Sequence, residues 1–200
     1  MTEPSPYAEA ATDALVVLAK TDRDALGALY DRFFPLVHRY CQRRMFDRAA
    51  ADDVAADVFL QLAQSLRRFG GTTEEDFRRW VYRIATNAAN AQLLKQSRRG
   101  RLLDRAGRLG WWTKVEAVDE RHDPADFDEL AEALGELYER QQSVLTLRFM
   151  EGLSYEEVAA ILGIRRATLR VIASRALATL RRRLSSRDSR MIKFPTKPKS

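Results

Sequence analysis

The chain has 200 residues, 46% of them hydrophobic, with 34 lysines and arginines against 28 acids for a net charge of +6. A mean hydropathy of −0.40, a sequence pI of about 9.7 and the lack of any apolar run near the roughly 20 residues that a bilayer requires exclude a membrane-inserted class and favour a polyanionic partner. One cysteine, Cys41, excludes an intrachain disulfide, and the opening MTEPSPYAEAATDALVVLAK carries acids where a secretory signal needs basic residues and shows no clear cleavage site, so the protein is expected in the cytoplasm.

Helical periodicity runs nearly throughout and strand-like alternation never persists, so the expected fold class is all-α. From Asp22 to Met45, Leu26, Leu29, Tyr30, Phe33, Phe34, Val37, Tyr40 and Cys41 recur at three- and four-residue steps. Pro35 is expected to kink or split this segment. His38 and Cys41 share a helix face, at most half of a metal site. The other histidine, His122, has no cysteine near it, so a packed thiol beside a surface imidazole is the expected arrangement.

A second helix, about Ala50 to Arg68, puts Val54, Val58, Phe59, Leu62 and Leu66 on one stripe before Gly70-Gly71-Thr72-Thr73 ends it. Asp52, Asp53 and Asp57 gather on it, either as a solvated helix start or as a docking patch for a basic partner helix. A third helix, about Glu74 to Ser97, turns Phe77, Trp80, Val81, Ile84 and Ala88 inward. Its other faces carry Arg78, Arg79, Tyr82, Arg83, Asn87 and Asn90. Arg67, Arg68, Lys95, Arg98, Arg99 and Arg101 extend this basic surface, and arginines interleaved with aromatic and amide groups suit unstacked bases. Trp80 lies on the apolar stripe and reads as core.

Order weakens from Gly100 to Pro124, which reads as an interdomain linker with a helical turn around Leu102 to Leu109. Trp111-Trp112 within it would dock on a flanking domain or on a partner. Helical periodicity returns at Ala125 and continues to Leu184. The expected division is therefore one domain over 8–99, a linker over 100–124, a second domain over 125–185 and a disordered tail over 186–200.

The segment LSYEEVAAILGIRRATLRVIASRALATLRRRL carries the sharpest local signal. Ser154 and Glu157 form a capping box that starts a helix at Tyr155. Val158, Ile161 and Leu162 make its apolar stripe, and Ala159 is small where a second helix must cross. Gly163 permits the left-handed turn that ends it, and Ile164 plugs the angle. The next helix turns Leu169 and Ile172 inward. This is the pattern of a helix-turn-helix. Arg165, Arg166, Arg170, Arg175, Arg181, Arg182 and Arg183 load the second helix, with no acid between Gly163 and Leu184. Arginine pairs with phosphate and reads guanine edges, and Thr168 is placed to meet a phosphate or a thymine methyl.

Two blocks resemble a known family. DDVAADVFLQLAQSLRRF with DFRRWVYRIATNAANAQLLKQSRR is similar to region 2 of the sigma-70 family's extracytoplasmic-function sigma factors. LYERQQSVLTLRFMEGLSYEEVAAILGIRRATLRVIASRALATLRRRL is similar to their region 4. The resemblance implies a promoter-specificity subunit that binds core RNA polymerase and promoter DNA. Such a subunit has no catalytic residue, metal or cofactor, is a monomer when free, and is commonly held inactive by an anti-sigma factor. It implies polymerase docking through Asp52, Asp53, Asp57 and Gln61. Recognition and melting of the −10 element would fall to Arg78, Arg79, Tyr82, Arg83, Asn87, Lys95, Arg98 and Arg99, with Asn87 the leading base contact. Reading of the −35 duplex would fall to Arg165, Arg166, Thr168, Arg170, Ser174 and Arg175. Three positions depart from the family pattern: Ala56 stands where glutamine is usual, Ala91 where aspartate is common, and Arg165 where a serine-like residue caps the recognition helix. The residues also leave room for a stand-alone helix-turn-helix regulator, for a recombinase-like DNA enzyme, although no carboxylate and histidine constellation stands out, and for a degenerate sigma-like protein that binds polymerase weakly.

Overall fold

The structure is a computed structural model that describes residues 7, 9–104, 130 and 133–185, with the backbone alone over 97–104. Trp111, Trp112, most of the expected linker and the tail over 186–200 lie outside the described residues, as do the side chains of Arg98, Arg99 and Arg101. The elements, in chain order, are α1 (Thr12–Leu18), α2 (Arg23–Met45), α3 (Arg48–Ser65), a 3-10 turn (Leu66–Arg68), α4 (Glu74–Asp104), α5 (Glu139–Leu145), a π-helical turn (Thr146–Met150), α6 (Tyr155–Leu162) and α7 (Arg166–Ser185). The described residues contain no strand. None of their helices is long and apolar enough to cross a membrane.

α2 and α3 each start where a side chain takes up their open N–H groups. The Asp22 carboxylate accepts from the backbone of Asp24 at 2.8 Å and Ala25 at 3.3 Å, and Asp47 accepts from Ala50 at 2.7 Å. The Tyr7 hydroxyl also donates to Asp22 at 2.6 Å. That bond, with the two N–H groups, holds the Asp22 carboxyl below its usual range.

Pro35 does not split α2, which runs unbroken from Arg23 to Met45. The residue sits on the exposed face, where water can take the carbonyl that its missing N–H leaves open. The third helix likewise passes the expected end at Ser97 and reaches Asp104. The second is cut short, because the chain tightens into the 3-10 turn after Ser65.

The core of the N-terminal bundle follows the expected stripes. Leu29, Phe33, Val37 and Tyr40 from α2 meet Val54, Val58 and Leu62 from α3 and Phe77, Val81 and Ala85 from α4. Phe33 meets Phe77 edge to face at 4.9 Å. Trp80 is half-buried and stacks on Phe69 at 4.5 Å, so it is packing and not a free base platform. The α3–α4 loop needs a glycine at 71, because a Cβ there would lie 2.4 Å from the Phe69 ring and 2.7 Å from Asp76 Cβ.

The C-terminal helices do not stand apart from this bundle. Val144, Leu147, Leu153, Val158, Ile161, Leu169 and Ala173 belong to the same buried cluster as the N-terminal core. A smaller cluster joins Leu134, Leu137 and Leu145 to Ala176 and Leu180 of α7, and Phe46 packs against it. Phe46 caps α2 at φ 52°, the left-handed region. A non-glycine residue there costs about 1–2 kcal/mol, which the apolar contact with the C-terminal cluster offsets.

Candidate nucleic-acid interface

The helix-turn-helix forms as its local signals direct. Ser154 Oγ accepts from the Glu157 N–H at 3.2 Å, and Glu157 Oε2 accepts from the Ser154 N–H at 2.8 Å. Gly163 ends α6 at φ 63°, and Ile164 packs half-buried against the core. Leu169 is fully buried, while Ile172 is half-buried at the edge. α7 therefore leaves the core with Arg165, Arg166, Thr168, Arg170, Ser174 and Arg175 all exposed. The structure keeps all six on the accessible side of one helix and its approach.

Two of these arginines have internal company. Arg166 pairs with Glu156 of α6, both about half-exposed. The Arg170 guanidinium lies 5.8 Å from the centre of the Tyr155 ring, which also meets Arg148 at 4.9 Å. Both contacts brace α7 against α6 while leaving the guanidinium groups reachable, and exposed pairs of this kind are worth at most about 1 kcal/mol. Val171, 49% exposed, sits among the arginines of the outer face.

The acidic surface of α3 is also open. Asp53, Asp57 and Gln61 are exposed at four-residue steps along one face, with Ala56 beside them. Asp52 differs, because its carboxylate meets His38 Nε2 at 2.7 Å. That contact accounts for His38. Cys41 is buried apart from solvent, and burial pushes its thiol up to about 12, so it packs as an apolar group. No cluster of three metal-binding side chains occurs among the described residues. Leu60, 57% exposed in the middle of the acidic face, is a residue that sequence reasoning missed. Its signal was present, since it is the one large apolar residue of the helix lying off the stripe of Val54, Val58, Phe59 and Leu62.

The basic face of α4 is different. Arg78, Tyr82 and Arg83 are spent on the C-terminal helices. Arg78 pairs with Glu157 at 3.0 Å, Tyr82 donates to Glu151 at 2.9 Å, and Arg83 donates to the Ala160 carbonyl at 2.9 Å. Tyr82, expected on an outer face, is 2% exposed and meets Tyr40 edge to face at 5.6 Å. Burial, then Glu151, pushes its hydroxyl far up from the usual phenol range. Arg79 turns back along its own helix to Asp76 at 2.8 Å and Glu75 at 3.7 Å. Asn87 and Lys95 remain exposed.

Two further residues of this joint were not singled out by sequence. Arg44 is 0% exposed. It donates to Gln142 Oε1 and Asn90 Oδ1 at 2.6 Å each, and more weakly to Ser143 Oγ and the Glu139 carbonyl. These acceptors are neutral, and burial lowers the pKa of the guanidinium. A buried cation held by neutral acceptors, with the Glu139 carboxylate nearby, locks the joint between α2, α4 and α5, because removing it strands several polar oxygens. Glu151 is the second, with its side chain 0% exposed between Arg39 and Arg43.

Comparison with known proteins agrees with this architecture. The sigma-70 region 2 model matches residues 29–99, and the sigma-70 region 4 model matches residues 127–180. The chain is 34% identical over 167 residues to the ECF RNA polymerase sigma factor BldN of Streptomyces coelicolor, a match covering 82% of this chain and 61% of that relative. It is 31% identical over 160 residues to the RNA polymerase sigma factor CarQ of Myxococcus xanthus, covering 80% of this chain and 88% of the relative. The fold superposes with a TM-score of 0.63 on the sigma factor RpoE of Bartonella quintana, solved in complex with the anti-sigma factor NepR, at 20% identity over 78% of this chain and 94% of that one. With two sigma-70 regions in order and relatives matched across most of its length, the chain belongs to the extracytoplasmic-function sigma factors, the promoter-recognising subunits of RNA polymerase.

Proposed function

We propose that this sigma factor divides its work among three surfaces. The exposed row Asp53, Asp57, Leu60 and Gln61 on α3 docks on a basic helical element of core RNA polymerase, with Asp52 at its border. α4 captures the unpaired −10 strand through Arg78, Arg79, Tyr82, Arg83, Asn87, Lys95, Arg98 and Arg99. α7 reads the −35 duplex through Arg165, Arg166, Thr168, Arg170, Ser174 and Arg175. In domain terms, 8–99 carries docking and melting, 100–124 is the connector, 125–185 carries duplex reading and 186–200 is a tail. The chain would act in the cytoplasm, as a monomer until it joins the polymerase. It would supply specificity and no reaction of its own. An anti-sigma factor is a candidate partner, because a structural neighbour was solved with one.

The observation that carries this reading is the contrast between α7, whose six candidate residues are exposed, and α4, where Tyr82 is buried and Arg78 and Arg83 are bonded to the C-terminal helices while Asn87 and Lys95 stay exposed. A stand-alone regulator needs only the first surface. A subunit that must not grip single strands before it joins the polymerase has reason to engage part of the second. In vitro transcription with purified core polymerase and genomic fragments tests the proposal. Transcripts that depend on the added chain are expected, and their absence contradicts it. Without core polymerase, the chain should give no specific footprint over a −10 element.

A further inference from the structure

Glu151 follows the π-helical turn and carries its carboxylate into a pocket made wholly by the N-terminal bundle. Arg43 Nη1 reaches Oε1 at 2.9 Å, Arg39 Nη2 reaches Oε2 at 3.3 Å, and the Tyr82 hydroxyl donates to Oε2 at 2.9 Å. The guanidinium groups stand four residues apart on α2, and Tyr82 faces them from α4. Three donors from two helices therefore converge on one singly charged anion with two equivalent oxygens. A phosphodiester has the same charge and likewise presents two equivalent oxygens, and arginine forks match both groups.

The position of this pocket suits that ligand. Tyr82 lies one turn along α4 from Arg78, which itself holds a carboxylate, that of Glu157. Arg83 follows and holds a carbonyl oxygen. The oxygens of the C-terminal helices thus meet the donors of the face assigned to the melted strand. Arg39 and Arg43 stay 48% and 27% exposed even in this packing, so the pocket faces outward once Glu151 leaves it.

We propose that Arg39, Arg43 and Tyr82 form a binding site for a backbone phosphate of the unpaired promoter strand, and that Glu151 occupies this site in place of DNA while the chain is closed. The inference rests on the assignment of α4 to the −10 strand. It adds two arginines from α2 to the DNA-binding surface. It also makes DNA capture and closure compete for one set of donors, so strand binding and opening of the chain are coupled.

Substitutions at the two ends of this ion pair separate a phosphate site from a purely structural clasp. A clasp that never meets DNA predicts that Glu151→Gln and Arg43→Ala both loosen the chain and both raise its affinity for DNA. A phosphate site predicts opposite signs. With a fluorescent single-stranded oligodeoxynucleotide and the full chain, Glu151→Gln should tighten binding roughly tenfold, the worth of a charge-assisted hydrogen bond. It should also steepen the salt dependence by about 0.7 for each additional phosphate neutralised. Arg43→Ala should weaken binding, and adding it to Glu151→Gln should cancel the tighter binding. Higher affinity from Arg43→Ala overturns the proposal. So does a Glu151→Gln chain that binds a glutamate-rich peptide more tightly but DNA no better.

Should Glu151→Gln fail to fold, the holoenzyme supplies an independent readout. Single methylphosphonate linkages are placed along the non-template strand of a pre-melted promoter recovered by transcription. The unmodified chain should lose affinity at one linkage to which the Arg43→Ala holoenzyme is indifferent. If no such linkage exists while transcription proceeds, this site is wrong and the sigma assignment stands. If no transcript depends on the chain at all, the sigma assignment itself fails.

Discussion

α4 and α7 are both arginine-bearing helices assigned to promoter DNA, yet the fold treats them in opposite ways. α7 sends its buried stripe, Leu169, Ala173, Ala176 and Leu180, into the core and leaves the arginines of its other face exposed. α4 buries its apolar stripe too, but Tyr82 and Thr86 beside it are also buried, and Arg78 and Arg83 are bonded to α6. The difference lies in what neighbours each helix. What differs is whether the acids that reach a basic face come from an exposed or a buried position. Glu151 and Glu157, buried or nearly so, reach α4, whereas among the described residues α7 meets the exposed Glu156 and Glu136, at Arg166 and Arg183 near its two ends. Electrostatic accessibility is thus a property of the packed chain and cannot be read from the charge of one segment.

The strongest way to break the contrast is to reverse the buried acid. Glu151→Lys places a cation between Arg39 and Arg43 and should destabilise the closed packing by about 3–5 kcal/mol. Small-angle scattering should show an enlarged chain, with α4 then as open as α7. Arg44→Ala should act in the same direction by about 3 kcal/mol, because Gln142 and Asn90 lose their donor in a dry site, and thermal melting would show it. A variant that melts and scatters like the parent would mean that Arg44 holds nothing.

Smaller changes sharpen the comparison from the α7 side. Arg166→Ala with Arg170→Ala should leave closure intact and reduce the salt slope of upstream duplex binding by the holoenzyme by about 0.9 for each phosphate left without its arginine. An unchanged slope would remove both residues from the duplex. Ser154→Ala should cost about 1 kcal/mol, the usual worth of an N-cap, measured by denaturant unfolding.

The pH dependence follows from the same cap. Burial pushes the Glu157 carboxyl up, but the Ser154 N–H and hydroxyl and the Arg78 guanidinium outweigh it and hold it below its ordinary 4.5. A depressed carboxyl stabilises the folded form above its unfolded pKa and ceases to as the pH falls through its folded value. The α4–α6 contact should therefore be intact at neutral pH and weaken below about pH 4.5. Arg78→Gln should shrink that dependence, as amide exchange along α6 would report.

The features legible in the sequence were those decided within a few residues. The Ser154–Glu157 box, the Gly163 turn and the stripe through Val54, Val58 and Leu62 each follow from near neighbours, and all three formed. Pro35 did not split its helix, because an exposed proline with a solvated carbonyl can be carried within one. Tyr82 and Arg44 were out of reach for another reason. Their partners lie far away in sequence, Tyr82 and Glu151 being 69 residues apart and Arg44 and Gln142 98 apart. A tyrosine between two arginines reads as surface until the covering helices are in place. Glu151 carried no signal at all, since a lone acid before a glycine resembles any turn residue.

The central claim is that the free chain holds Arg78, Tyr82 and Arg83 of α4 against its C-terminal helices and releases them on the polymerase. The most direct test is a distance measurement between labels at Ala49→Cys, just past Phe46, and Ser185→Cys, beside Leu184, because Phe46 and Leu184 pack against one cluster in the closed chain. Both positions are exposed, and the native Cys41 is buried. A single short distance is predicted for the free chain, and a longer one after assembly with core polymerase and promoter DNA. A broad distribution in the free chain, or the same distance before and after assembly, would contradict the account.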